Sequence, residues 1–148
     1  MSLELYSKNR WIREHRPSPE EIARLMAIAD RDIEQSQTPG LGAEWQFDIA
    51  YNAILQTATA ALAAAGYRAE RANKHMRTLE CLKFTLGVDE ATDAMLDRMR
   101  RKRHVAVYDQ VGMISDHEAA ELITIARRLR ADVEAWLRKH HPELMPPA

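Results

Sequence analysis

The sequence predicts an all-α fold, and three observations carry that expectation. Glycine and proline are sparse among the 148 residues and gather at Pro17 and Pro19, Pro39 to Gly42, Gly66, Gly87, Gly112 and the tail from Pro142 onward. Between these breaks run long stretches rich in Ala, Leu, Glu and Arg, which lose little conformational freedom on entering a helix. Within those stretches apolar residues recur at helical spacing, and no alternating β-branched segment of useful length appears. A chain of this length fits one domain with a proper core. Charged residues make up 29% and cancel to a formal net charge of −1. A globally basic nucleic-acid coat is thereby excluded, and only a local basic patch is left to consider.

Residues 1–17 are mixed and weakly periodic and are expected to form a loosely ordered N-terminal arm. The helical-bundle domain is expected over 18–141, and a C-terminal tail over 142–148. Ser18-Pro19-Glu20-Glu21 supplies a capping serine, a proline at the first helical position and a glutamate for the reciprocal bond. Ile22, Leu25, Met26, Ala29 and Ile33 then share one stripe, with Arg31, Asp32 and Glu34 facing away. The second helix, about 43–65, is apolar on most sides, which predicts a central position surrounded by neighbours. Its second half, TATAALAAA, has side chains short enough for backbones to approach closely. Gly66 breaks it, and a basic connector leads to a short third helix with Met76, Leu79, Leu82 and Leu86 inward. Cys81 is expected to be a small, partly buried hydrophobe. Asp89 can cap a fourth helix running to about Val111. Ser115-Asp116-His117-Glu118 is a second capping box, and the last helix carries Ala119, Leu122, Ile123, Ala126, Leu129, Val133, Trp136 and Leu137 on one stripe. About five helices with short connections make an up-and-down bundle.

The fourth helix carries the densest chemistry, RMRRKRHVAVYD from Arg98 to Asp109, with five Arg or Lys among its first six residues. Arginine grips phosphate or carboxylate in a bidentate fork, so the cluster raises the question of nucleic acid. Leu96, Met99, Arg103, Val107 and Ile114 fall on one line, so Arg103 interrupts an apolar stripe. A guanidinium on that side needs a carboxylate, a carbonyl or a partner chain, because stranding it costs on the order of 3–5 kcal/mol. Arg98, Arg100, Arg101 and Lys102 spread around the helix and are more easily solvated. At about 100° per residue, Arg101, His104 and Tyr108 line one edge beside Arg103, and Asp97 can pair with Arg101. The same pattern also suits a plain surface basic run with an Arg–Asp pair and a tyrosine at a helix–helix contact.

The layout from about Ser18 to His140 resembles the HEPN superfamily of small prokaryotic helical-bundle proteins. The resemblance rests on LMAIADRDIEQS, on WQFDIAYNAILQTATAALAAAGYRA and above all on RRKRHVAVYD. It implies a two-fold homodimer with the fourth helix at or near the interface. For many members it also implies metal-independent ribonuclease activity in toxin–antitoxin or defence systems, opposite a nucleotidyltransferase-like antitoxin. The ribonuclease pattern is an arginine followed by a polar residue and, after a short spacer, a histidine. Arg103-His104 fits the first two positions. Five residues after Arg103, where the histidine often falls, this chain has Tyr108, whose ordinary pKa of about 10 makes it a poor base. A register from Arg98 to His104 places apolar Met99 in the polar slot, so the Arg103 register is preferred.

By that resemblance Arg103 would stabilise charge on the phosphate, His104 would transfer a proton and Tyr108 would position the phosphate. Arg98, Arg100, Arg101 and Lys102 would bind phosphates of RNA or a nucleotide. The rival is a non-catalytic dimerisation or interaction module in which Arg103, Tyr108 and Asp109 form a structural polar network. His15 and His75 stand in basic segments expected to be exposed, and no histidine pair has metal-ligand spacing. No metal and no cofactor are expected. The single cysteine, the charged N-terminus and the shortness of the most apolar run favour a cytoplasmic location without a membrane span.

Overall fold

The structure, a computed structural model, describes residues 1–108 and 112–146, and the side chains of all of these but 106–108. In chain order the elements are α1 (Leu3–Lys8), β1 (Ile12–Glu14), α2 (Pro19–Ser36), α3 (Ala43–Ala64), β2 (Tyr67–Ala69), α4 (Lys74–Glu80), α5 (Leu82–Thr85), α6 (Glu90–Tyr108) and α7 (Asp116–His140), followed by a 3₁₀ turn, Pro142–Leu144. The fold is mostly helical and bundle-like, as the sequence predicts.

The start signals act as read. Ser18 Oγ accepts the Glu21 amide at 3.1 Å with Pro19 in the first turn. Asp89 Oδ1 accepts the Thr92 amide at 2.8 Å, and both halves of the Ser115–Glu118 capping box form. The reciprocal bond expected of Glu21 goes elsewhere, because its carboxylate is taken by His15 Nε2 at 2.8 Å and Arg68 at 2.9 Å.

Along α2 the predicted stripe of Ile22, Leu25, Met26, Ala29 and Ile33 is buried. Asp32, expected to face solvent, is only 4% exposed. Asn52 Nδ2 donates to it at 2.7 Å and Arg31 Nε at 3.1 Å, so the buried carboxylate is satisfied by partners on its own helix and on α3. Helix α3 is the central one, packed mainly between α2 and α7 and also touched by α4 and α6. Ala50, Ala53, Ala58, Ala60, Ala61 and Ala63 are buried on it, giving the close backbone approach that short side chains allow. The hydroxyls of Thr57 and Thr59 donate to carbonyls one turn back at 2.7 Å, so neither is stranded in the core.

Three expectations are corrected. Residues 1–17 are not a loose arm: α1 docks through Tyr6, and β1 pairs antiparallel with β2, Ile12 opposite Ala69 and Glu14 opposite Tyr67. The reason is a second small core of Tyr6, Ile12, Leu62, Ala69 and Cys81, flanked by Trp11, Tyr67 and Phe84. Arg77 lies 3.7 Å over the Trp11 ring and closes its edge. Gly66 makes the return possible, since its φ of 98° lets the chain leave α3 and enter β2 at once. The expected third helix is likewise two short ones, α4 and α5, meeting at Cys81. Cys81 itself is fully buried, and burial pushes its thiol up to about 12. No described helix is long and apolar enough to cross a membrane.

Candidate phosphate-binding site

The position of the site follows from the register of α6. Leu96 and Met99 face the core, so Arg103, one turn beyond Met99, falls where α6 meets α3. Asp48 and Tyr51, one turn apart on α3, stand opposite it. Arg103 Nε donates to Asp48 Oδ1 at 2.7 Å, and its Cζ lies 5.3 Å from the centre of the Tyr51 ring, a cation–π distance. Arg103 is 25% exposed and Asp48 28%, so the pair lies at the edge of the core. Of the partners expected for a guanidinium on this stripe, it is a carboxylate, from α3, that meets it. The side chain of Tyr108 and the whole of Asp109 lie outside the described residues, as does the network expected of them with Arg103.

Tyr51 joins this pair to a histidine that sequence reasoning set aside. His75, in the first turn of α4, is not exposed as expected but half-buried against α3. Its Nδ1 lies 3.5 Å from the Tyr51 hydroxyl, at the long end of the hydrogen-bond range, and the two rings are 6.0 Å apart. Burial first, and then the charges of Arg103, Lys74 and Arg100, hold the imidazole below its ordinary 6.5. The shift favours the neutral imidazole. Burial raises the Tyr51 phenol to about 12 against the opposing pull of Arg103 and Arg100, so it stays protonated.

The remaining basic residues divide. Arg100 donates twice to Asp97 Oδ1, at 3.1 and 2.9 Å, and Arg101 pairs with the other oxygen at 3.2 Å. The expected Asp97–Arg101 pair thus forms with Arg100 added. Lys102 bonds Glu118 at the start of α7. Arg98 and His104 are exposed on the outer face. The structure therefore brings together Arg100, Arg103, His75 and Tyr51, while Arg98, Arg101 and His104 point outward. At this edge Lys74, Arg100 and Arg103 stand against Asp48 and Asp97, and Arg98 and Arg101 carry further positive charge on the outward face of α6.

Sequence reasoning missed Asp48, Tyr51 and His75. The first two leave a faint trace, an acid and a phenol three residues apart on a helix that is apolar on most sides. His75 leaves none, because its role depends on where the connector after β2 returns. Chemically the group offers guanidinium donors for an anion and an unprotonated imidazole beside them, the combination that phosphate recognition and proton transfer need. Among the described residues, no group of three or more His, Cys, Asp or Glu is placed to hold a metal ion. No protein-family model, curated protein or solved structure matches the chain.

Proposed function

We propose that this chain is a HEPN-like bundle that binds RNA, or a nucleotide phosphate, along the edge where α6 meets α3 and α4. The observation that supports it most is the gathering of Arg100 and Arg103 from α6 and His75 from α4 around Tyr51 of α3. Two guanidinium groups one turn apart suit successive or bidentate phosphate contacts. The donation from Nε to Asp48 occupies only one of the five donors of Arg103. Arg98, Arg101 and Lys102, on the rest of the helix surface, extend the positive track. The family resemblance of RRKRHVAVYD extends the reading to a homodimer, a nucleotidyltransferase-like antitoxin partner and metal-independent RNA cleavage in a toxin–antitoxin or defence setting.

The Arg103–Asp48 pair favours a second reading, a non-catalytic interaction module in which Arg103 fastens α6 to α3. Fluorescence anisotropy of a labelled mixed-sequence RNA in EDTA separates the two. Under the RNA reading the wild type binds with a steep salt dependence, and Arg103→Ala weakens binding at least about tenfold and lowers the salt slope by about one. Absence of RNA binding by the wild type at low salt, together with loss of stability in Arg103→Ala, sinks the RNA reading and leaves the interaction module.

A further inference from the structure

The motif RRKRHVAVYD has Tyr108 where the family pattern has its closing histidine, yet a histidine stands at the site from another helix. Resting on the RNA reading above, we propose that His75 is the residue that takes the 2′-hydroxyl proton of an RNA strand whose phosphodiester is held by Arg100 and Arg103. Tyr51 is its positioning residue. The geometry supports this in three ways. The Tyr51 ring is shared, with Arg103 at 5.3 Å from its centre and His75 at 6.0 Å, so cation and imidazole flank one rigid buried surface. Tyr51 is 2% exposed, which fixes its hydroxyl opposite Nδ1 of His75. His75 itself is half-buried at the surface end of α4 and can be reached from outside.

In the tautomer that serves as base, Nδ1–H donates to Tyr51 Oη and the lone pair lies on Nε2. The 3.5 Å separation is of the kind that tightens once substrate is bound. The 2′-oxygen gives its proton to Nε2 as it bonds to phosphorus. The bond from phosphorus to the 5′-oxygen then breaks, with its electron pair leaving on that oxygen, and the proton passes from Nε2 to it. The products are a 2′,3′-cyclic phosphate and a 5′-hydroxyl, and no water, metal or other reactant is consumed. Arg100 and Arg103 offset the charge that builds on the phosphate. The charged and titratable groups acting on His75 are Lys74 on α4 and Arg100 and Arg103 on α6, with Tyr51 in contact from α3 and Asp97 acting on that phenol. Burial and the three cations favour the unprotonated imidazole, the form a base requires.

The test is cleavage of a 5′-labelled mixed-sequence RNA by the full chain in EDTA, with anisotropy binding and thermal midpoints measured alongside. His75→Gln is expected to lower kcat by about 10²–10⁴ while leaving RNA affinity within about threefold. Tyr51→Phe should lower kcat less, again without loss of affinity. The wild-type profile of kcat/KM should rise with pH through a value below 6.5, and this limb should vanish in His75→Gln. If His75→Gln does not fold, restoration of cleavage in His75→Ala by added imidazole replaces it as the deciding measurement, and failure of rescue in folded His75→Ala counts against the assignment. Wild type that binds RNA without cleaving it, or cleaves equally well without His75, overturns the role of His75 and leaves RNA binding standing. Wild type that does not bind RNA overturns both.

Discussion

Replacing Asp48 by Asn should destabilise the chain and, at the same time, tighten its grip on anions. The Arg103 Nε–Asp48 Oδ1 bond is 2.7 Å long, with the two side chains 25% and 28% exposed. Fully exposed pairs contribute about 0.2–1 kcal/mol, and removing one partner of a buried pair costs about 3–5 kcal/mol. With about a quarter of each side chain in water, screening brings the expected loss to about 1–2 kcal/mol. The contact between Arg103 and Tyr51 survives the substitution and keeps the helix from losing more. In a chain of this length each kcal/mol moves the thermal midpoint by about 2–4 °C, so a fall of about 2–8 °C is expected. Urea unfolding of wild type, Asp48→Asn, Arg103→Ala and the double variant gives the coupling energy directly, at about 1 kcal/mol. RNA affinity should rise severalfold in Asp48→Asn, because an acid competing for Arg103 is gone, and fall in Arg103→Ala. A coupling energy near zero, or RNA affinity that drops in Asp48→Asn, refutes the reasoning.

Three further outcomes follow from other contacts. Burial alone would raise the Glu21 carboxyl, but His15 and Arg68 outweigh it and hold the group below its ordinary 4.5. Its contribution is therefore complete above that value and disappears as pH falls through the lower folded-state value, so a pH series of thermal midpoints should drop less steeply on the acid side in Glu21→Gln. Asn52→Ala removes the 2.7 Å donor to buried Asp32 and should cost about 1–3 kcal/mol by urea unfolding, while a loss below about 0.5 kcal/mol would mean that Arg31 alone satisfies the carboxylate. The Cys81 thiol, fully buried and raised to about 12, should react with a disulfide reagent only as the fold opens; prompt labelling of the native chain would contradict its burial.

Periodicity and capping chemistry made the long helices legible, because both are local. Ile22 to Ile33 and Ala119 to Leu137 form the stripes that 3.6-residue spacing implies, and the serines at 18 and 115 cap where their neighbours say they should. Pairing between distant segments was not legible. Ile12–Glu14 and Tyr67–Ala69 are three residues each, too short to show alternation, and only their juxtaposition makes them strands. Asp32 was placed outward because charge argues for water, whereas Asn52 and Arg31 make burial tolerable. At the candidate site the sequence singled out Arg103 as a cation on an apolar line needing a carboxylate, a carbonyl or a partner chain, and Asp48 supplies the first of these. Which carboxylate, and which histidine stands beside it, depends on how α3 and α4 pack on α6, and no spacing within the motif carries that.

The two halves of α6 are attached by different forces, and this bears on how the helix opens. Leu96 and Met99 anchor its first part by burial, whereas from Arg100 onward the described anchors to other helices are made by charged groups, Arg103 on Asp48 and the Tyr51 ring of α3 and Lys102 on Glu118 of α7. Added salt leaves apolar burial intact but weakens ion pairs that have part of their surface in water, increasingly as the screening length falls from about 8–10 Å at ordinary ionic strength to about 3 Å at 1 M. Amide protons near Arg103 should accordingly exchange with solvent faster as salt rises, while those near Leu96 keep their protection, so the end of the helix that carries the basic run opens as a unit of its own below global unfolding.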